Sequence, residues 1–217
     1  MNEKRKKMIL LILAVMVVVF AGIGGYYWYQ SEYYVSTDDA TVTGDLVAVS
    51  PQMSGKLVEL NVEEGDTVVK GQIVGRQGID NPSDTNIDET VLRAPINGIV
   101  IKKQATVGEI VSPGQTIAYL IDPTKLYVSA NVEETKLGYV KAGQKVDLTI
   151  DQFGNKQFTG TVKYVGEAAN STFSLLPTST SGTFTKVVQK IPVKIYLDKN
   201  DASILPGTNA VVHIHIK

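Results

Sequence analysis

Two histidines, His213 and His215, are the residues whose types and spacing most directly suggest chemistry. Residues two apart on a β-strand project from the same face, so both imidazoles would point the same way. Such a pair can ligate zinc or copper, but the sequence offers no third ligand, and protein zinc sites normally supply three or four. We therefore predict solvated strand positions here and no metal site.

The adjacent carboxylates Asp38 and Asp39 suggest acid–base chemistry. Neighbouring residues on a strand point to opposite faces, so these two cannot easily share a proton, and we predict a structural role. The chain has no cysteine, which excludes thiolate metal sites and thiol nucleophiles. Outside the apolar N-terminal run it also lacks a nucleophile elbow, a phosphate loop and a dinucleotide fingerprint. We predict no catalytic residues, no cofactor and no enzymatic activity.

The composition excludes further classes. The chain has 217 residues and a formal net charge of −1, with 19 Gly, 8 Pro and 20% charged residues. A balanced charge without a basic stripe argues against a nucleic-acid partner and against disorder. The charges are unevenly placed, however, because four basic residues cluster at positions 4–7 and leave an acidic remainder.

The N-terminal segment is predicted to be a membrane anchor. Residues 8–29 contain no charged side chain, and as a helix they would span about 33 Å. The basic residues 4–7 precede this run, which predicts a cytoplasmic N-terminus and an extracytoplasmic remainder. Aromatic residues typical of the membrane interface follow, namely Tyr26, Tyr27, Trp28 and Tyr29. The run exceeds the apolar core of a signal peptide, so we favour an uncleaved single-pass helix.

An internal repeat at an offset of 43 residues is the most informative pattern. The segment from Ser50, SPQMSGKLVELNVEEGDTVVKGQIV, matches APINGIVIKKQATVGEIVSPGQTI from Ala94. Its paired glycines are predicted to lie in turns, and they are Gly55 with Gly98, Gly65 with Gly108, and Gly71 with Gly114. In the first half, Val58, Leu60 and Val62 alternate with polar residues, as expected of a half-buried strand. Two such halves would bury their apolar faces against each other as a small flattened barrel.

This repeat is typical of biotinyl and lipoyl carrier domains, which carry a modified lysine at the turn joining the halves. Here the joining segment, residues 76–90, contains no lysine. A carrier function is therefore disfavoured.

The remainder of the chain predicts a second β-domain. After Asp122, longer alternating strands follow, with a short helical turn between residues 133 and 144 that ends at Gly143. Pro192 interrupts one strand, which favours an edge position. Five or six strands with one helix describe a small antiparallel β-barrel.

These residues resemble the HlyD-type membrane fusion proteins, also called periplasmic adaptor subunits, of export systems. The resemblance covers nearly the whole chain and includes VLRAPINGIV with VGEIVSPGQ, and LYVSANVEETKLGYVKAGQKVDLTI. The stretch from Phe173 to Ile195 is similar to the EmrA-like branch. The resemblance implies a mainly β fold, with one transmembrane helix, a lipoyl-like domain of two halves and an antiparallel β-barrel.

One departure from this family is expected to matter. Adaptors that reach an outer-membrane channel carry a long α-helical hairpin between the lipoyl halves, whereas here residues 78–90 leave no room for one. The chain therefore resembles an adaptor of a Gram-positive envelope, or a reduced one beside its inner-membrane transporter. The sequence does not separate these alternatives.

The predicted organisation follows from these assignments. It comprises a cytoplasmic tail (1–7), a transmembrane helix (8–29), a linker with a first membrane-proximal strand (30–46), a lipoyl-like domain (47–121, with halves 47–76 and 91–121 and a loop 77–90) and a β-barrel (122–217). Within the barrel, residues 171–185 contain nine Ser or Thr around an apolar cluster. We predict that Phe173, Leu175 and Leu176 in this loop contact the transporter or the membrane, the alternative being packing on their own barrel.

The function implied by the resemblance is that of a membrane-anchored adaptor for multidrug or toxic-compound efflux. Its expected partners are an inner-membrane transporter, favoured as major-facilitator type with ABC type also compatible, membrane lipid, and further copies of itself. The alternative hypothesis is an anchored extracytoplasmic module that binds a ligand or the cell wall without a transporter.

Overall fold

The computed structural model describes residues 3–78, 87–169, 188–198 and 202–217, and it forms two compact units. The barrel unit consists of Met1–Thr41, Val128–Asp201 and Thr208–Lys217. The sandwich unit consists of Val42–Tyr127 and Ala202–Gly207. The chain therefore leaves the barrel unit after its first strand and returns to it about 86 residues later.

The sandwich unit consists of two four-stranded antiparallel sheets, with the orders β2-β9-β7-β4 and β6-β5-β3-β8. Its strands are β2 (Leu46–Val49), β3 (Gly55–Leu60), β4 (Thr67–Val68), β5 (Ile73–Gly78), β6 (Val91–Arg93), β7 (Gly98–Lys103), β8 (Ile110–Val111) and β9 (Ala118–Ile121). Replacing each strand by its counterpart about 43 positions away in the other half converts one sheet into the other. The repeat in the sequence is thus an approximate twofold symmetry of the fold.

The two halves of the sandwich unit exchange strands. The short strand β4 of the first half pairs with β7 of the second, and β8 of the second pairs with β3 of the first. The backbone N–H of Gly65 donates to the carbonyl of Val100, and that of Gly108 donates to Leu57, both at 2.7–2.8 Å. Each half completes the other's sheet, so neither sheet is built from one half alone.

The core of the sandwich unit follows the same symmetry. Ten of its thirteen buried residues form pairs 43 positions apart, and they are Val49 with Leu92, Leu57 with Val100, Val62 with Ala105, Val68 with Val111, and Val74 with Ile117. All of these residues are aliphatic, which suits a close-packed interior.

The prediction that Val58 lies on the buried face of β3 was wrong. That side chain is 44% exposed, whereas its neighbour Leu57 is fully buried. The pairing of β3 with β5 shifts register between Leu57 and Glu59, which indicates a β-bulge. A bulge changes which side chains face inward, and an alternation pattern alone does not reveal it.

The barrel unit contains the helix α1 (Glu3–Tyr33) and a closed six-stranded barrel with the order β1-β10-β13-β12-β11-β14. The strands are β1 (Tyr34–Thr43), β10 (Tyr127–Glu133), β11 (Lys145–Ile150), β12 (Gln157–Val165), β13 (Lys190–Leu197) and β14 (Asn209–His215). The inward residues alternate along each strand and are apolar, as in β14, where Ala210, Val212 and Ile214 are buried. The mainly β fold with two β-domains is confirmed.

Two local predictions for the barrel were wrong. Pro192 does not mark an edge, because β13 lies between β10 and β12 and a closed barrel has no edge. Its carbonyl accepts a hydrogen bond from the N–H of Gly166 at 2.8 Å, so the strand loses only the donor that proline lacks. The predicted helical turn is also shorter than expected, since α2 (Glu134–Leu137) ends at Gly138, and Gly143 lies in a separate turn with φ of +91°.

Short 3₁₀ turns complete the described elements, at Ile87–Thr90, Pro123–Lys125 and Asp151–Phe153. Strand β5 ends at Gly78 and the first of these turns begins at Ile87, so eight residues separate this strand from the turn. These eight residues lie outside the described part of the chain.

Candidate functional site

The helix α1 presents a continuous apolar surface. All side chains from Leu11 to Tyr26 are exposed, including Phe20 at 67% and Val18 at 70%. Exposed apolar area of this extent normally marks a contact with a membrane or another protein. Within the described residues, none of the helices combines the length and hydropathy expected of a membrane-crossing segment.

The end of α1 is attached to the last barrel strand. The N–H of Ile216 donates to the carbonyl of Tyr33 at 3.0 Å, and the Lys217 ammonium forms an ion pair with Glu32. The same ammonium lies 5.7 Å from the ring centre of Tyr33. Because β1 follows α1 directly and pairs with β14, a helix terminus and two barrel strands form one connected junction.

The predicted aromatic residues lie at this junction where the structure describes them. Tyr26 and Tyr29 are 65% and 52% exposed, and the Tyr29 ring stacks on that of Tyr33 at 4.4 Å between centroids. The side chains of Tyr27 and Trp28 lie outside the described part.

The two histidines lie on the outer face of β14, each with a different partner. Nδ1 of His213 is 2.7 Å from the Ser36 hydroxyl, and Nε2 of His215 is 2.7 Å from a carboxylate oxygen of Asp147. These partners belong to β1 and β11, the two strands that flank β14. Across the described residues, no group of three or more His, Cys, Asp or Glu side chains is arranged to hold a metal ion.

Asp39 is the centre of a polar cluster on the barrel. One carboxylate oxygen accepts from the Asn131 amide at 3.0 Å, and the other lies 2.7 Å from the Lys190 ammonium. The hydrogen bond from Lys190 and that from Asn131 lower the pKa of Asp39, against the opposing effect of burial. The hydrogen bond between Asp39 and Lys190 also raises the pKa of Lys190. The cluster connects β1, β10 and β13, which lie side by side in the barrel.

The repeat glycines fall into two classes. Four occupy turns with positive φ, with values of +96° at Gly65, +100° at Gly108, +85° at Gly71 and +82° at Gly114. The other two, Gly55 and Gly98, are the first residues of β3 and β7 instead of turn residues. Glycine at position 98 allows close backbone approach, since a Cβ there would lie 2.4 Å from the carbonyl oxygen of Ile121.

The predicted transporter contacts, Phe173, Leu175 and Leu176, lie outside the described residues. Sequence reasoning missed the pairing of His215 with Asp147, because the two residues are 68 positions apart and no local pattern joins them.

Comparison with known proteins assigns both units. Residues 45–124 match the model described as "RND MFP, barrel-sandwich hybrid domain", and residues 126–214 match the "YknX-like beta-barrel domain". The chain is 39% identical over 190 residues to the efflux system component YhbJ of Bacillus subtilis, which covers 85% of this chain and 81% of that protein.

More distant relatives agree with this assignment. The multidrug export protein EmrA of Haemophilus influenzae is 33% identical over 136 residues, covering 60% of this chain but only 35% of that protein. The solved structure of the periplasmic adaptor protein EmrA superimposes with a TM-score of 0.58 at 18% identity, over 85% of this chain and 99% of that one. The predicted resemblance is confirmed: the chain belongs to the membrane fusion proteins, the non-enzymatic adaptors of efflux systems, in their EmrA-like branch.

Proposed function

We propose that this protein is a single-pass membrane adaptor that scaffolds a transporter for the efflux of drugs or other toxic compounds. One observation carries this proposal: the chain contains both a barrel-sandwich unit and a closed barrel. The barrel is preceded by a helix whose side chains are exposed from Leu11 to Tyr26. The relatives named as multidrug export proteins support the substrate class.

The anchor is proposed to be residues 8–29, with residues 1–7 in the cytoplasm. Its support is the uncharged run in the sequence and the exposed apolar side chains of α1. Exposed leucine, valine and phenylalanine are unfavourable in water by about 1.5–3 kcal/mol each and are stabilised by lipid. Energy for export would come from the transporter, because the sequence contains no nucleotide-binding motif.

The partner is proposed to be an inner-membrane transporter of the major-facilitator type. Two surfaces are candidates for the contact, the exposed face of α1 and the loop residues Phe173, Leu175 and Leu176. The protein is also proposed to act as a homo-oligomer, with its sandwich units surrounding an exit path. The family resemblance supports both assignments.

Co-purification tests the adaptor role. The tagged full-length chain is extracted in mild detergent, and the proteins retained are identified by mass spectrometry. A major-facilitator transporter, recovered in a fixed ratio, is the expected partner, whereas an ABC transporter would change the transporter class. Recovery of no transporter, together with binding of the detergent-solubilised protein to cell-wall material, would favour an anchored binding module instead.

Matched variants separate the two candidate surfaces. Phe173→Asp with Leu175→Asp should reduce recovery of the transporter without unfolding the chain, if the loop makes the contact. Tyr139→Asp, at an exposed position of the same unit, is the control and should leave recovery unchanged. Normal recovery with the loop variant would exclude the loop and leave α1 as the remaining candidate.

A further inference from the structure

A cavity of about 330 Å³ lies where the end of α1 meets the outer face of the barrel. No ligand has been assigned to it above, although Tyr26 and Tyr29 also belong to the proposed anchor. Its described lining residues come from five different elements, and they are Tyr26, Tyr29, Tyr34, Asp147, Gln157 and His213.

Aromatic rings form one side of this cavity. Tyr26 and Tyr29 are three residues apart on α1 and therefore lie on the same helix face. Tyr34 begins β1, and its ring meets that of His215 edge to face at 4.8 Å, which restricts its orientation. Aromatic faces attract cations, and several rings around one cation are the usual means of recognising an organic ammonium group.

The barrel strands contribute a carboxylate to the cavity. Among the lining residues that the structure describes, Asp147 is the only carboxylate. Its Oδ2 lies 2.7 Å from Nε2 of His215, a contact that orients the carboxylate. A carboxylate that lines the same cavity as several tyrosine rings favours a cationic ligand over an anionic one.

An imidazole and an amide complete the lining. The His213 ring is positioned by Ser36, whose hydroxyl is 2.7 Å from Nδ1, and Gln157 supplies an amide. Imidazole and amide side chains can hydrogen-bond a ligand. The cavity therefore combines aromatic, anionic and hydrogen-bonding surfaces in a space at the lower end of the range for small-molecule sites.

We propose that this cavity binds a small organic ammonium group. The volume suits a lipid headgroup such as ethanolamine, or a cation carrying a single aromatic ring. The lipid source rests on the proposed membrane anchor, because Tyr26 and Tyr29 end the apolar run of α1 and would then lie at headgroup depth. A water-soluble ammonium compound would reach the same site without that assumption.

Titration calorimetry on the full chain tests the proposal. The protein is placed in nanodiscs of phosphatidylglycerol alone and titrated with benzyltrimethylammonium and, separately, with its uncharged isostere neopentylbenzene. Saturable binding of the cation, at least about tenfold tighter than that of the isostere, is expected because cation–π contacts and Asp147 act only on the charge.

Variants locate the binding in the cavity. Asp147→Asn should weaken binding of the cation about tenfold or more, and Tyr26→Leu with Tyr29→Leu should do so by a similar factor. The controls Glu167→Gln and Tyr139→Leu remove a carboxylate and a tyrosine that lie on the same unit outside the cavity, and should leave the affinity unchanged. The double tyrosine variant keeps the test decisive if Asp147→Asn fails to fold, because both rings are largely exposed on α1.

Native mass spectrometry then distinguishes the sources of the ligand. If the source is lipid, the chain released from mixed nanodiscs should retain phosphatidylethanolamine, and Asp147→Asn should lose it. Binding of benzyltrimethylammonium without retention of this lipid would assign the site to soluble cations. The proposal is overturned if neither ligand binds, or if folded Asp147→Asn and the double tyrosine variant bind as well as the unchanged protein. These outcomes are independent of transporter co-purification, so failure here would leave the adaptor role intact.

Discussion

At the scale of single residues, one turn motif is used three times. Gly71-Gln72, Gly114-Gln115 and Gly143-Gln144 each place glycine at a φ between +82° and +91°. In each case the glutamine side-chain oxygen accepts from the backbone N–H three residues earlier, at 2.8–3.1 Å. Asp66 and Glu109 act in the same way after Gly65 and Gly108. These side chains satisfy backbone donors that a tight turn would otherwise leave to water.

The positive φ of the turn glycines predicts a measurable cost of substitution. Gly65→Ala and Gly108→Ala should each lower the free energy of unfolding by about 1–2 kcal/mol, because a Cβ destabilises a left-handed backbone. Gly138→Ala is the control, since Gly138 has a helical φ of −58° and no atoms near the position of a Cβ. Urea denaturation monitored by circular dichroism measures all three. Equal effects at Gly65 and Gly138 would show that φ does not govern the cost.

The polar cluster around Asp39 predicts a dependence of stability on pH. The pKa of Asp39 is lowered in the folded state, so its stabilising contribution is present above the unfolded value of about 3.9 and is lost as the pH falls through the folded value. The contribution is modest, because the side chain is 39% exposed and solvent weakens the ion pair. Asp39→Asn should therefore flatten the acid limb of the stability curve.

The measurement is the midpoint of urea denaturation, determined at several pH values between 5 and 2. The control is Asp38→Asn, which removes a neighbouring exposed carboxylate. The interpretation fails if Asp38→Asn flattens the curve as much as Asp39→Asn. The linked effect at Lys190 has the opposite sign: its raised pKa stabilises the fold at low and neutral pH, and that stabilisation is lost as the pH rises through the folded value.

At the scale of elements, the bulge in β3 determines which side chain enters the sandwich core. Leu57 is fully buried and its N–H donates to Glu109 on the other half, whereas Val58 faces outward. Leu57→Ala should lower the free energy of unfolding by about 2–5 kcal/mol, as expected for a buried leucine. Val58→Ala should change it by less than about 0.5 kcal/mol. Denaturant titration of both variants compares them, and a larger effect at Val58 would restore the original prediction of the apolar face.

The sequence predicted the elements of the sandwich unit more accurately than their details. Its repeat carries the turn glycines that define each hairpin, and glycine at positive φ is a strong local signal. The bulge after Leu57 and the interior position of Pro192 depend on pairing partners distant in sequence, so no local pattern contained them. The cavity could not be predicted for the same reason, since its residues span positions 26–213.

At the scale of the whole molecule, the sandwich unit is an insertion between two adjacent barrel strands. Strands β1 and β10 are neighbours in the barrel, although about 80 residues separate them in the chain. Asp45, just after β1, lies 3.4 Å from the hydroxyl of Tyr127, which begins β10. The two strand ends are thus close enough to be joined directly.

This topology predicts that the barrel folds without its insertion. A chain of residues 34–217 in which a short Gly-Ser linker replaces 45–126 should unfold cooperatively and keep the β-rich circular dichroism spectrum, because all six barrel strands remain.

The reciprocal fragment, residues 42–127, lacks 202–207, which contribute the buried Ile204 and the hydrogen bond from Gly207 to Val42 at 2.7 Å. That fragment should be less stable than the same fragment with 202–207 added through a linker. Thermal melts compare the three chains. If the barrel chain does not fold, the barrel depends on the sandwich unit, and the prediction that its six strands suffice to form its core is wrong.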